Sequence, residues 1–294
     1  MLLSVAKTKA TKPAKPAAKP AKPAKTVQTT PQMATKLQKA ANANKLDEVR
    51  ALLDRGVDPN VLAKDTSTLA WAVYKGHEPV VKLLLERGAD PNLGKSYPAA
   101  GCAMHAAAHE ARVELLALLL EHGGDPNAPG QYGVRPLQKA LETMRIKRSE
   151  LMPKKPPRER YVAVVRALLA AGARPELEDE RGTSAWISAA RTDDVEVFDL
   201  IVATDPARLQ RDGKTLMNEV AFFGSKLVDV LVERGIPADV QALQRAIIRG
   251  NPRAIERLLA HGVDPTAERE GKSSLALAEE HGDEEVLAAL GKQR

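Results

Sequence analysis

A glycine followed by an Asp-Pro turn returns again and again along this chain, each time at the end of a leucine-rich segment. GVDPN at 56–60 recurs as GADPN at 88–92, GGDPN at 123–127, GARPE at 172–176 and GVDPT at 262–266, with weaker forms GIPAD from Gly235 and TDPAR from Thr204. The segments before these stops, such as VRALLDRG, VVKLLLERG, ELLALLLEHG and AIERLLAHG, are amphipathic and helical in period. Glycine ends such a helix because it lacks a Cβ and enters the left-handed conformation that caps the last turn. Aspartate and proline then keep the chain from resuming helix. Successive stop glycines lie 32, 35, 49, 63 and 27 residues apart. The gap of 63 is nearly two units with a worn stop near Asp205, and the gap of 49 is one unit plus a basic, proline-containing stretch. The unit is therefore about 33 residues, a turn and two helices, and such units stack into a solenoid. Aromatic residues make up only 3% of the chain, whereas alanine and leucine dominate, which favours helix on helix over a sandwich or barrel.

A unit of this length and order resembles the ankyrin repeat, whose pattern sets D-x-x-G-x-T-P-L-H-x-A-A before G-H-x-x-V-V-x-L-L-L-x-x-G-A-D. KGHEPVVKLLLERGADPN (75–92) is similar to the second half almost letter for letter, and YGVRPLQKAL (132–141) keeps the G-x-x-P-L of the first. DGKTLMNEVA (212–221) and EGKSSLALAE (270–279) match less fully, and TPLH is nowhere intact. The resemblance implies an all-α ankyrin-type solenoid over residues 34–292, preceded by a disordered basic tail, 1–33. Its eight units are expected at 34–60, 61–92, 93–127, 128–176, 177–207, 208–238, 239–266 and 267–292, the polar first and charged last acting as caps.

The net charge of +6 is local. Residues 1–33 hold seven lysines and no acid, and the insertion RIKRSELMPKKPPRER (145–160) holds seven Lys or Arg against two Glu, which leaves the remainder at −6. The tail, TKATKPAKPAAKPAKPAK (8–25), is too poor in apolar residues to form a core and reads as a semi-rigid, polyproline-like arm. Its composition is similar to that of linker-histone tails, which raises nucleic acid as a possible acidic partner; a linker is the alternative. The insertion, about 144–160 within unit four, reads as a surface loop or a second contact for an acidic partner. MLLSVA is too short for a signal-peptide core, and no stretch approaches a membrane span, so a cytoplasmic protein with no membrane partner is expected.

CAMHAAAHE (102–110) looks like a metal site, because Cys102, His105 and His109 fall within about two helical turns of each other. On the ankyrin pattern it divides: Cys102 takes the threonine position, Met104 the core leucine and His105 the turn histidine, whereas His109 is a variable groove position. His109-Glu110 does not begin H-E-x-x-H, because Val113 stands at the second histidine. There is no phosphate loop and no nucleophile elbow, so no catalytic residue, metal or cofactor is expected.

What the resemblance implies is a non-enzymatic interaction module that holds a protein partner in its concave groove as scaffold, sequestering agent or inhibitor. The variable positions carried over are Tyr74, Lys75, His109, Glu110, Arg191, Phe222, Phe223 and Arg249, with Tyr132, Arg181, Arg211 and Lys214 at hairpin tips. Phe222 and Phe223 are two of three phenylalanines in the chain, and burying each at a partner surface would contribute about 1.5 to 3 kcal/mol. The alternative is that unit six is irregular there and the rings turn inward.

Overall fold

The computed structural model describes residues 28–63, 66–94, 101–146 and 155–291. Residues 1–27 of the tail and residues 147–154 of the insertion lie outside the described residues. Among the described residues sixteen α-helices follow one another as eight pairs. These are α1 (Pro31–Asn42) with α2 (Leu46–Asp54), α3 (Thr68–Lys75) with α4 (Glu78–Glu86), α5 (Ala103–His109) with α6 (Val113–Glu121), and α7 (Pro136–Arg145) with α8 (Arg158–Ala170). The series continues with α9 (Ala185–Ala190) and α10 (Val195–Val202), α11 (Pro206–Phe223) and α12 (Lys226–Glu233), α13 (Val240–Arg249) and α14 (Pro252–Ala260), and α15 (Ser274–His281) and α16 (Glu284–Gly291). Each first helix packs on the first helices of the neighbouring pairs, and each second helix on the second, so the fold is two parallel layers.

Side-chain size explains the layering. The first helices meet through buried alanines such as Ala106, Ala140, Ala189 and Ala246, which let backbones approach closely, while Leu84, Leu116, Leu168, Ile201 and Leu258 fill the second layer. Tyr161, Trp186 and Phe198, all fully buried, thicken the core at units four and five. The stop glycines behave as the sequence predicts: Gly88 has φ 84°, and a Cβ built there would meet nothing within 4 Å, so the demand is conformational rather than steric. Its N–H donates to the Leu85 carbonyl (2.9 Å) and that of Ala89 to Leu84 (3.0 Å), closing the helix.

The asparagine of each DPN turn does more than end a helix. Asn60 donates through Nδ2 to the Gly88 carbonyl (2.9 Å) and accepts through Oδ1 from the Asp90 N–H (2.7 Å), one repeat further on. Asn92 makes the same pair with Gly123 (2.9 Å) and Asp125 (2.7 Å), and Asn127 with Gly172 (3.0 Å) and Arg174 (2.8 Å). Three rungs thus tie the turns of units one to three each to the turn that follows. Each asparagine is aimed by its own aspartate, whose Oδ1 accepts the asparagine N–H at 2.8 Å.

Three expectations on local structure need correction. Residues 31–33, assigned to the tail, form the first turn of α1, where the Thr30 hydroxyl accepts the Met33 N–H (3.3 Å) and Pro31 occupies the first position. The ends of the insertion are helical too, with Arg145 closing α7 and Arg158–Arg160 opening α8. Arg211 and Lys214 were expected at a hairpin tip; they lie within α11, which runs unbroken for 18 residues. Asp205 starts that helix by accepting the Arg208 N–H (3.3 Å), and Arg208 then pairs with Asp212 one turn on (2.6 Å). Gly213 is the residue that would have broken it, yet it sits against buried Ile236, where a Cβ would lie 2.4 Å from Cδ1. Here glycine serves close packing rather than a turn. No helix among the described residues is long and apolar enough to cross a membrane.

Candidate partner-binding groove

Cys102 and His105 are structural. Cys102 caps α5 without a side-chain cap bond; its thiol lies 3.3 Å from His105 Nδ1 instead. His105 Nε2 is 2.9 Å from the Val134 carbonyl, which can only accept, so Nε2 carries the proton and Nδ1 is free to accept the thiol S–H. Both groups are buried. Burial pushes the thiol up to about 11 and the imidazole down to about 4, the settings of inert neutral partners. His109 belongs elsewhere, hydrogen-bonded through Nδ1 to Glu110 (2.8 Å) with its ring 6.0 Å from that of Tyr74.

Two aromatic centres form on the first-helix layer. At units two and three, Trp71 and Tyr74 meet edge to face at 5.9 Å, and Lys75 reaches over both rings at 5.8 and 5.7 Å. With His109 and Glu110 beside them, four expected groove residues come together. At units four to seven, Phe222 and Phe223 at the end of α11 are half-buried and pack edge to face at 4.8 Å. Arg145 and Arg191 lie 5.1 and 5.0 Å from the centre of the Phe223 ring, and Arg245 and Arg249 each lie 5.4 Å from that of Phe222. Arg145 is on α7, two repeats before α11. The Arg145 side chain therefore reaches past the intervening repeat to the Phe223 ring.

The neighbouring charges are ordered. Glu219, one turn before Phe223, accepts from Arg191 Nε (2.7 Å) and Arg245 Nη2 (3.3 Å). Arg181 binds buried Asp179 (2.8 Å) and Glu142 (3.1 Å), and Asp179 is held below the usual carboxylate range: burial opposes its ionisation, but the Thr183 N–H and the Arg181 side chain and N–H outweigh it. Among the described residues neither Arg145 nor Arg249 pairs with a carboxylate. A pocket of about 350 Å³ lies beside Phe223, lined by Glu142, Arg145, Arg181, Thr183, Ser188 and Arg191.

The other expected residues stand apart. Tyr132 is 59% exposed at a turn of unit four with φ 56°, Arg211 pairs with Asp205 (2.8 Å), and Lys214 lies 3.4 Å from Asp239. Trp71, Arg145, Glu219 and Arg245 were missed. Helical period could have found two of them, because Arg245 is one turn before Arg249 and Trp71 one turn before Lys75.

Three cations at the end of the basic insertion, among the described residues, are engaged by the solenoid. Lys155 Nζ donates to the Met144 (2.6 Å) and Ile146 carbonyls and is lowered by burial. Arg158 pairs with Asp194 and Glu196 (2.9 Å), and Arg160 binds Glu114 (2.6 Å) and the Ala111 carbonyl (3.0 Å).

Helix pairs stacked in two layers, with aromatic and cationic residues gathered on the first-helix layer, define a helical-repeat solenoid of the kind that serves as a binding module. A family model of three ankyrin repeats matches residues 18–95, and a single-repeat model matches 102–131. Residues 18–131 thus carry ankyrin repeats, which indicate a protein–protein interaction module. Ankyrin repeats are in general non-enzymatic. No curated protein gives a significant match over the chain.

Proposed function

We propose that the chain holds a protein partner against the concave face of units four to seven, in a scaffolding, sequestering or inhibitory role, with Phe222 and Phe223 at the centre of the contact. One observation carries this reading: two phenylalanines remain half-buried side by side on the first-helix layer although the core around them is otherwise closed. Rings with unspent apolar area, ringed by arginines, have the composition of an interface hot spot. Units six and seven form no hairpin among the described residues, so no tip stands in front of the pair.

The test is a photo-crosslinking amino acid placed at Ile248, which is 52% exposed beside Arg249, and separately at Val195, 38% exposed on the second-helix layer. Partner crosslinks from Ile248 and none from Val195 are expected. Crosslinks from Val195 alone would move the contact to the outer layer. The nucleic-acid alternative has its charge in the seven lysines of residues 1–33. Salt-sensitive gel shift by the full chain that vanishes without those residues would support it.

A further inference from the structure

We infer that the phenylalanine centre takes an acidic peptide segment, two carboxylates flanking one apolar side chain, with the carboxylates received by Arg145 and Arg249. The inference rests on the groove reading and adds the chemistry of the occupant.

Charge decides it. Four guanidiniums surround the two rings; of the nearby carboxylates, Glu219 is spent on Arg191 and Arg245, and Glu142, in the pocket beside Phe223, on Arg181. Arg145 and Arg249 are exposed, flank the ring pair from opposite sides, and have no carboxylate partner among the described residues. Each is fixed against a ring, so its fork of donors is oriented before a ligand arrives, which favours bidentate capture of a carboxylate. The pocket beside Phe223 is lined by Thr183 and Ser188 as well as Arg145, which gives one such carboxylate further hydrogen-bond partners, while the pocket's own Glu142 is paired with Arg181.

Distance sets the spacing. The path from Arg145 to the Phe223 centre (5.1 Å), across to Phe222 (4.8 Å) and on to Arg249 (5.4 Å) limits the two guanidiniums to about 15 Å apart. An extended peptide advances about 3.3 Å per residue, so the two acids stand about two to four positions apart with the apolar residue between them. Single-stranded nucleic acid fits less well. A base stacking on either ring would have to displace the guanidiniums already there.

The experiment is selection from a random 12-residue peptide display library on the full chain, with affinities of the winners measured by fluorescence anisotropy on wild type, Arg145→Glu, Arg249→Glu and Phe222→Ala. Arg145→Gln and Arg249→Gln serve where a charge reversal lowers the urea midpoint. The expected winners carry the acid, apolar, acid pattern, lose about tenfold in affinity on each charge reversal, and weaken as salt rises. Winners without acidic residues that still depend on Phe222 would overturn this inference and leave the groove reading standing. Winners indifferent to all these substitutions, or no winners, would overturn both. A labelled 20-residue oligothymidylate included as a second probe, if bound in an Arg145- and Arg249-dependent way in place of any peptide, would overturn the peptide assignment.

Discussion

Replacing Asn92 by alanine removes both side-chain bonds of the middle rung between turns: Nδ2 to the Gly123 carbonyl (2.9 Å) and Oδ1 from the Asp125 N–H (2.7 Å). The Asn92 N–H keeps its bond to Asp90, because that donor is backbone. Each lost bond is worth about 0.5–1.5 kcal/mol net, and the freed groups are exposed, so water replaces part of the loss and the total should be about 1–2 kcal/mol. The loss falls on the coupling between units two and three rather than within either unit. In a stack whose stability is a sum of unit and interface contributions, weaker coupling both lowers the midpoint and broadens the transition. Urea unfolding followed by circular dichroism should show a midpoint lower by about 0.5 M, taking a slope of about 3 kcal/mol per molar, with a reduced apparent slope. Asn92→Asp separates the two bonds: it keeps the acceptor for Asp125 but sets a carboxylate oxygen against the Gly123 carbonyl, and should cost at least as much as alanine. A change below about 0.3 kcal/mol for Asn92→Ala would mean that water substitutes fully and that the rungs follow from the turn geometry without stabilising it.

Three further outcomes follow from other residues. His105 titrates at about 4 in the fold against 6.5 when free, so the unfolded chain binds the extra proton first; its contribution is full above pH 6.5 and is lost as pH falls towards 4, about 3 kcal/mol in all, and His105→Gln should flatten that part of the stability profile in urea melts between pH 4 and 7. Gly213→Ala would gain about 1 kcal/mol of helix propensity, but the site is buried and its Cβ would lie 2.4 Å from Ile236 Cδ1, so overpacking of about 1–3 kcal/mol should win and the melting temperature should fall; a rise would show that Ile236 has room to move. Tyr132→Asn relieves a left-handed aromatic residue that is 59% exposed and should stabilise by about 1 kcal/mol; if it also weakens partner capture, the strain is retained for binding.

Repetition explains why some of this was legible in the sequence and some was not. The glycine stops, the alanine layer and the division of CAMHAAAHE are local rules applied to each unit, and a recurring period exposes them without reference to any neighbour. The rungs were present in the same letters, DPN, yet their partners are one unit away, so period alone could not join Asn60 to Gly88. The Arg211 and Lys214 tip failed for a related reason: Asp-Gly-Lys reads as a turn, and only contact with Ile236, 23 positions later, makes Gly213 a packing residue. Arg145 was hidden by its charge, since it was counted with the basic insertion although it closes a first helix and lies over Phe223 from two repeats away. The part of the groove that could not be read is therefore the part built across units. The alternatives left open for the phenylalanines, outward or inward, also turn out to be incomplete. Both rings are half-buried, with guanidiniums over them, and this intermediate state keeps the apolar surface tolerable in water while leaving it available to a partner that brings the missing carboxylates.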